Sequence, residues 1–341
     1  MDSLLQSKPA QSQSGEGQGR VIKTMRGVSR CPTEARQSPC LAKLDRLDWG
    51  FGFNFECYGA RFGVRSNDAD LLDRIRQRLP PGARPDPGRK IVDVLVSARR
   101  APAPSRPGLR GYHLLYLSIT RVERSEDLDQ IVAAFDQQIH LLVANFARRY
   151  VFVHAGCVAW HGRAIVVPGR TLSGKSTLVH ALVAAGAAYL SDEYAVVDAR
   201  GRVRAYPKPL SLRATATEAA RLVSPGPTGT ENRPPVPVGL VAVLGFARGA
   251  RNRWRAPSMA EALMDLLANT VSVRRQPELA LKYLVRALRS ARAIKGRRGE
   301  AAEAAEKLIA FAGTGESRVK ARRLRDVHHD RGARRPVGKK I

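Results

Sequence analysis

Eight consecutive residues define the chemistry this chain is suited to. Gly169-Arg170-Thr171-Leu172-Ser173-Gly174-Lys175-Ser176 fits G-x-x-x-x-G-K-[ST], the pattern of a phosphate-binding loop, at every required position. In such a loop main-chain N–H groups wrap a polyphosphate, and the two fixed glycines allow backbone approaches that a β-carbon would obstruct. Lys175 is expected to reach the β- and γ-phosphates and Ser176 to place its hydroxyl on Mg²⁺. The helix that follows aims its positive end at the anion, so the nucleotide-binding set runs from Gly169 through Thr177.

A phosphate loop binds a nucleotide without choosing a reaction. The second requirement is an acid at the end of a neighbouring strand, to hold Mg²⁺ or to take a proton from an acceptor hydroxyl. Asp192, 17 residues after Lys175, follows an apolar stretch and meets that requirement. Glu193 stands beside it, and strand alternation turns it to the opposite face unless the strand ends there. His154 lies 15 residues before Gly169, on a stretch that a turn at His161-Gly162 folds back beside the strand feeding the loop. That register brings it toward Asp192, to tune or orient the acid; the plainer alternative is a core histidine. Lys208 and Arg213 are further cations for a transferring phosphoryl, with a surface role as the alternative.

These residues need a scaffold, and its elements are legible as patterns. Residues 164–167 read as a buried strand entering the loop, and 176–185 as a helix with Leu178, Ala181, Leu182 and Ala185 on one face, stopped by Gly186. Residues 150–160 form a strand, and 188–190 a short one ending at Ser191. Residues 194–197 and 203–206 form a hairpin turned at Ala199-Arg200-Gly201. Residues 207–213 read as loop, 224–237 as a mobile stretch rich in proline and glycine, and 238–246 as one more strand. Ser258-Met259-Ala260-Glu261 is a capping box that opens a helix to about residue 271. Pro277 begins another helix to about residue 292, and a last one covers 300–312.

Upstream, Phe51, Phe53, Phe55 and Cys57 alternate with small or polar residues as in a half-buried strand, onto which Phe62-Gly63-Val64 pairs back. Asn67 is expected to cap a helix through Leu71, Leu72, Ile75 and Leu79. Residues 91–97 and 112–120 read as strands. Ser125 opens the clearest helix, with Leu128, Ile131, Val132, Phe135, Ile139, Leu142, Val143 and Phe146 at helical spacing.

Composition bounds the rest. The 341 residues are 44% hydrophobic, enough for a core, and show neither a membrane span nor the apolar run of a signal peptide, so a cytoplasmic protein is expected. Met25 leaves a later start open. Cys31, Cys40, Cys57 and Cys157 form no C-x-x-C, so no structural zinc is expected, and Cys157 reads as a small apolar strand residue. The net charge is +28, of which residues 314–341 carry +7. That charge attracts acidic partners, but no nucleic-acid fold signature accompanies it, and nucleic acid is not expected as the main partner. The expected organisation is a disordered segment over 1–45, an α+β domain over 46–148, a catalytic domain with a helical C-terminal extension over 149–313, and a disordered basic tail over 314–341.

His154-Ala155-Gly156, then 169–176, then Ser191-Asp192-Glu193 together resemble the catalytic domain of HPr kinase/phosphorylase and its bacterial relatives, over roughly residues 150–213. In that family a histidine precedes the loop, and a pair of acids follows the loop lysine, at these spacings. The resemblance implies an α/β fold with a P-loop kinase core of the HPr kinase type, a mixed sheet with helices. It also implies ATP as donor, Mg²⁺ as cofactor, and a serine or similar hydroxyl of a protein or peptide as acceptor. Asp192 would be the base or the magnesium-linked acid, His154 its partner, Lys175 would act on the phosphates, and Ser176 and Glu193 would complete the metal set. The family's second acid is usually aspartate where this chain has Glu193, and the later glycine-rich signature tied to phosphorolysis is absent. Over its whole length the chain looks most like the uncharacterised HPr-kinase-related proteins of bacteria, some relatives of which phosphorylate a precursor peptide. The acceptor and any homo-oligomer stay open. So do two other functions: a nucleotide hydrolase used as a switch, and a nucleotide-sensing module whose basic tail docks an acidic partner.

Overall fold

The computed structural model describes residues 44–88, 92–103, 106, 108, 110–169, 173–208, 210–212, 221–223 and 233–313. The expectations for Arg170, Thr171, Leu172 and Arg213, for 1–43, 224–232 and the tail 314–341 lie outside these residues. Two compact units divide between Val143 and Ala144. Among the described residues no helix is long and apolar enough to cross a membrane.

The first unit is built on a six-stranded sheet of order β3-β1-β2-β4-β5-β6. Its elements are β1 (Phe51–Cys57), β2 (Ala60–Ser66), α1 (Ala69–Arg76), β3 (Arg84–Pro85), β4 (Val94–Arg99), β5 (His113–Leu117), β6 (Thr120–Ser125) and α2 (Leu128–Phe146), whose last three residues fall past the division. Tyr58 and Gly59, both at positive φ, close the β1–β2 hairpin, and Phe55 stacks on Phe62 across it at 5.1 Å between centroids.

Several expectations are corrected here. Leu44 is buried and its carbonyl accepts a hydrogen bond from Trp49 Nε1, so ordered chain begins before residue 46. Asp68, not Asn67, caps α1, its carboxylate accepting from Leu71 N at 2.7 Å. Asn67 is already committed to the main chain of Arg100 in both directions. The apolar run at 112–120 is two strands: the chain turns at Ser118, φ +52°, and returns as β6. β6 reads TRVERS, and its charged residues give no apolar alternation to see in the sequence.

The second unit holds an eight-stranded mixed sheet. Its strands are β7 (Val151–Trp160), β8 (Arg163–Pro168), β9 (Ala188–Ser191), β10 (Tyr194–Val197), β11 (Arg202–Arg204), β14 (Val236–Phe246), β15 (Arg253–Arg255) and β16 (Arg292–Arg298). A separate pair, β12 (Leu210–Leu212) with β13 (Arg221–Val223), stands outside it. The helices are α3 (Lys175–Ala184), α4 (Met259–Ala268), α5 (Pro277–Leu288) and α6, residues 301–313. The order is β11-β10-β7-β8-β14-β16-β15, with β9 lying along β7 and β11 turning back onto the start of β14. β8, β14 and β16 are parallel, so their C-terminal ends lie at one edge.

Alternation along β7 divides the unit into layers. Val151, Val153, Ala155, Cys157 and Ala159 face a core shared with α4 and α5. Val158 packs in the opposite core with Leu178, Val179 and Leu182 of α3 and with Ala304, Ala305 and Leu308 of α6. Each valine or leucine among them, buried from solvent, contributes about 1.5–3 kcal/mol. Cys157 is a fully buried strand residue, and burial raises its thiol pKa.

The helical C-terminal extension needs the largest correction. β16 runs through it, paired in parallel with β14. Its sequence RAIKGRR is mostly charged, with Ile294 and Arg298 its buried residues, so main-chain pairing with β14 rather than apolar pattern makes it a strand. Residues 207–213 contain β12 instead of being loop throughout, and β14 begins at Val236, inside the stretch expected to be mobile. On α3 the buried face is Leu178, Val179 and Leu182, while Ala185 is exposed. α4 and α5 stop at Ala268 and Leu288, short of the expected ends.

Candidate functional site

The loop 169–176 leaves the C-terminal end of β8, at the edge where the parallel strands end, and α3 begins at Lys175. Gly169 N donates to His154 O at 3.3 Å, tying the start of the loop to β7. A β-carbon on Gly169 would stand 2.7 Å from Ser173 Oγ, so that hydroxyl would have to turn away, and Gly174 sits at φ +79°, where a side chain is strained. Gly156, on the α3 side of β7, has the same character: a β-carbon there would lie inside 3.0 Å of Val179 Cγ2. The glycine lets α3, and with it Lys175, lie close to the sheet. Ser173 Oγ is buried with no hydrogen-bond partner among the described residues.

Lys175 is 7% exposed. Burial lowers its pKa, and the charges of Asp192 and Glu193 pull it back up. Both acids therefore act on one ammonium, although simple alternation would have separated them. The reason is a break in the strand. The register of β9 on β7 shifts by one residue between Tyr189 and Ser191, which brings Leu190 into the core that holds Ala195. Ser191 Oγ accepts from the amides of Glu193 at 3.3 Å and Tyr194 at 3.1 Å, folding the chain into a bend between β9 and β10. Asp192, 9% exposed, and Glu193 stand on it.

His154 lies directly opposite Tyr194, at the end of that bend. Ala155 N donates to Glu193 O, and His154 Nδ1 is 2.9 Å from the same carbonyl oxygen. A carbonyl only accepts, so Nδ1 carries the hydrogen and Nε2 is the basic nitrogen of the neutral ring. Burial, then the charge of Lys175, lowers the His154 pKa, and the bond to Glu193 O works the other way. The ring also leans on Tyr194, centroids 5.8 Å apart, whose hydroxyl burial holds well above the ordinary tyrosine pKa. The hydrogen bond of His154 to Glu193 O reaches the main chain of the residue after Asp192, so the histidine holds the bend that carries both acids.

Lys208 pairs with Glu193, Nζ to Oε2 at 3.1 Å, and its carbonyl accepts from Tyr189 Oη at 2.5 Å. Magnesium ordinarily keeps one or two carboxylates and fills its shell with phosphate oxygens and water. Ser176, Asp192 and Glu193 fit that donor set by type, and no group of three or more His, Cys, Asp or Glu among the described residues would hold a metal unaided. Thr177 is exposed on the first turn of α3.

One residue at this edge escaped the sequence reading. Arg298, the last residue of β16, is 2% exposed and donates from Nη2 to Gly174 O at 2.6 Å and from Nη1 to Gly299 O at 2.9 Å. Among 58 lysines and arginines nothing local marks it; only the pairing of β16 with β14 brings it under the loop. The class defined by these observations is an α/β protein with mixed sheets and a phosphate-loop motif at the carboxyl edge of its parallel strands. Compared with known proteins, the chain matches no family model, no curated protein and no solved structure.

Proposed function

We propose that this protein is an ATP-dependent, Mg²⁺-requiring kinase with a core of the HPr serine kinase type, transferring the γ-phosphoryl of ATP to a serine or similar hydroxyl of a protein or peptide. The observation that carries this reading is the buried Lys175 at the head of α3, in the field of the two acids of a bend that His154 holds. Loop amides and Lys175 bind the β- and γ-phosphates. Asp192 takes the proton of the acceptor hydroxyl as its oxygen bonds to the γ-phosphorus and the bond to the bridging oxygen breaks, releasing ADP. Ser176, Asp192 and Glu193 would hold Mg²⁺, whose charge supports that on the phosphoryl oxygens. Lys208 is a second cation at the same bend, paired with Glu193.

The test is transfer of label from γ-labelled ATP into polypeptides of the host's own extract, with Asp192→Asn alongside. A labelled band made only by the parent supports the kinase and identifies the acceptor by mass. Label released only as free phosphate points to a hydrolase, and tight ATP binding without turnover points to a sensor.

A further inference from the structure

Arg298 is buried to 98% of its surface, and among the described residues it makes no ion pair with a carboxylate; Glu300 acts on it through space. Its backbone is held from both sides by the β14–β15 connection. Ala247 N donates to Arg298 O at 2.9 Å, and Asn252 Oδ1 accepts from Gly299 N at 3.1 Å. The guanidinium also lies 5.1 Å from the ring centroid of Phe246, at the end of β14. So fixed an arginine constrains what it touches, and it touches the loop: Nη2 takes Gly174 O, and no β-carbon fits at Gly174 beside it.

A peptide unit is planar and trans, so its C=O and N–H point in opposite directions. Gly174 O accepts both Arg298 Nη2 and, at 3.2 Å, Leu178 N of α3, and fixing that oxygen also fixes the Lys175 N–H, which points away from Arg298. We propose that Arg298 is a positioning residue for the phosphate loop, bridging Gly174 O and Gly299 O so that the Gly174–Lys175 peptide presents its N–H to a polyphosphate, with a fixed positive charge behind it. This inference rests on the reading of 169–176 as a phosphate loop. A lysine cannot replace the fork, because one ammonium on a flexible stem does not hold two carbonyls in set directions. Burial lowers the arginine's pKa, the mark of a charge held away from water. A polyphosphate on the far side of the loop offsets that cost.

The experiment measures ATP and inorganic pyrophosphate binding by calorimetry for the full chain, Arg298→Met and Arg298→Lys, with apo melting temperatures for each. Both variants should bind both ligands about 10- to 100-fold more weakly, the scale at which misplacing a positioning group shows. The apo melting temperature of Arg298→Met should stay close to the parent's, because a desolvated charge leaves with the lost bonds. Where turnover is measurable, KM for ATP rises while kcat at saturation holds, as for lost uniform binding. Unchanged affinity in both folded variants overturns the proposal, as does a loss that merely tracks unfolding. Full affinity in Arg298→Lys overturns the bridge. A parent that binds neither ligand overturns the phosphate-loop reading itself, and this inference with it.

Discussion

Gly156→Ala is the sharpest test of how the site is assembled. Its new methyl would stand inside 3.0 Å of Val179 Cγ2, where carbon atoms rest at about 3.5–4.0 Å. Val179 is fully buried and β-branched in a helix, so its χ1 has little freedom to retreat, and Leu178 and Leu182 seat the same helix in the core. α3 must lift off β7, at an overpacking cost of about 1–3 kcal/mol. In a unit of this size that is a fall of roughly 2–12 °C in Tm. Removing the obstruction should reverse the effect, because the methyl would then meet Val179 Cβ and Lys175 Cβ, both in ordinary contact at 3.8 Å. The assay is a thermal-unfolding cycle over the parent, Gly156→Ala, Val179→Ala and the double variant, each also titrated with ATP. The double variant should be more stable than the sum of the singles by about 0.5–3 kcal/mol. It should also recover ATP affinity lost in Gly156→Ala, since Lys175 Cβ lies 3.8 Å from the same point. Additive losses, or Gly156→Ala as stable as the parent, would refute the claim that this glycine seats α3.

Three further outcomes follow from the same geometry. Asp192→Asn should lower phosphoryl transfer by about 10²–10⁴-fold, the usual worth of a positioned base, while calorimetry shows ATP affinity changed far less. Lys175→Met should abolish ATP binding without lowering the apo Tm, since burial already works against the ammonium; a large Tm loss would make Lys175 a structural residue. Because the His154 pKa is depressed below 6.5, the unfolded chain takes up its proton first as pH falls. Its contribution is thus complete above about pH 6.5 and is lost toward the lower folded pKa. Urea midpoints for the parent minus His154→Asn, taken from pH 7.5 down to 4.5, should show that slope, and a flat difference would contradict it.

The sequence by itself determined the loop, the helix behind it and the spacing of His154 and Asp192, because glycines, a lysine and apolar periodicity are local signals read within one turn or one strand. It also made the β7–β8 hairpin legible through His161-Gly162, both at positive φ in the structure. Tertiary structure decided the rest. That Glu193 shares the site with Asp192 depends on a bend held by Ser191 Oγ, which a two-residue period cannot express. That Gly156 matters depends on a helix more than twenty residues away in sequence, and that Arg298 matters depends on β16 pairing with β14. β16 is a strand because its main chain completes a sheet, a condition met by partners distant in the chain and not by its own charged side chains.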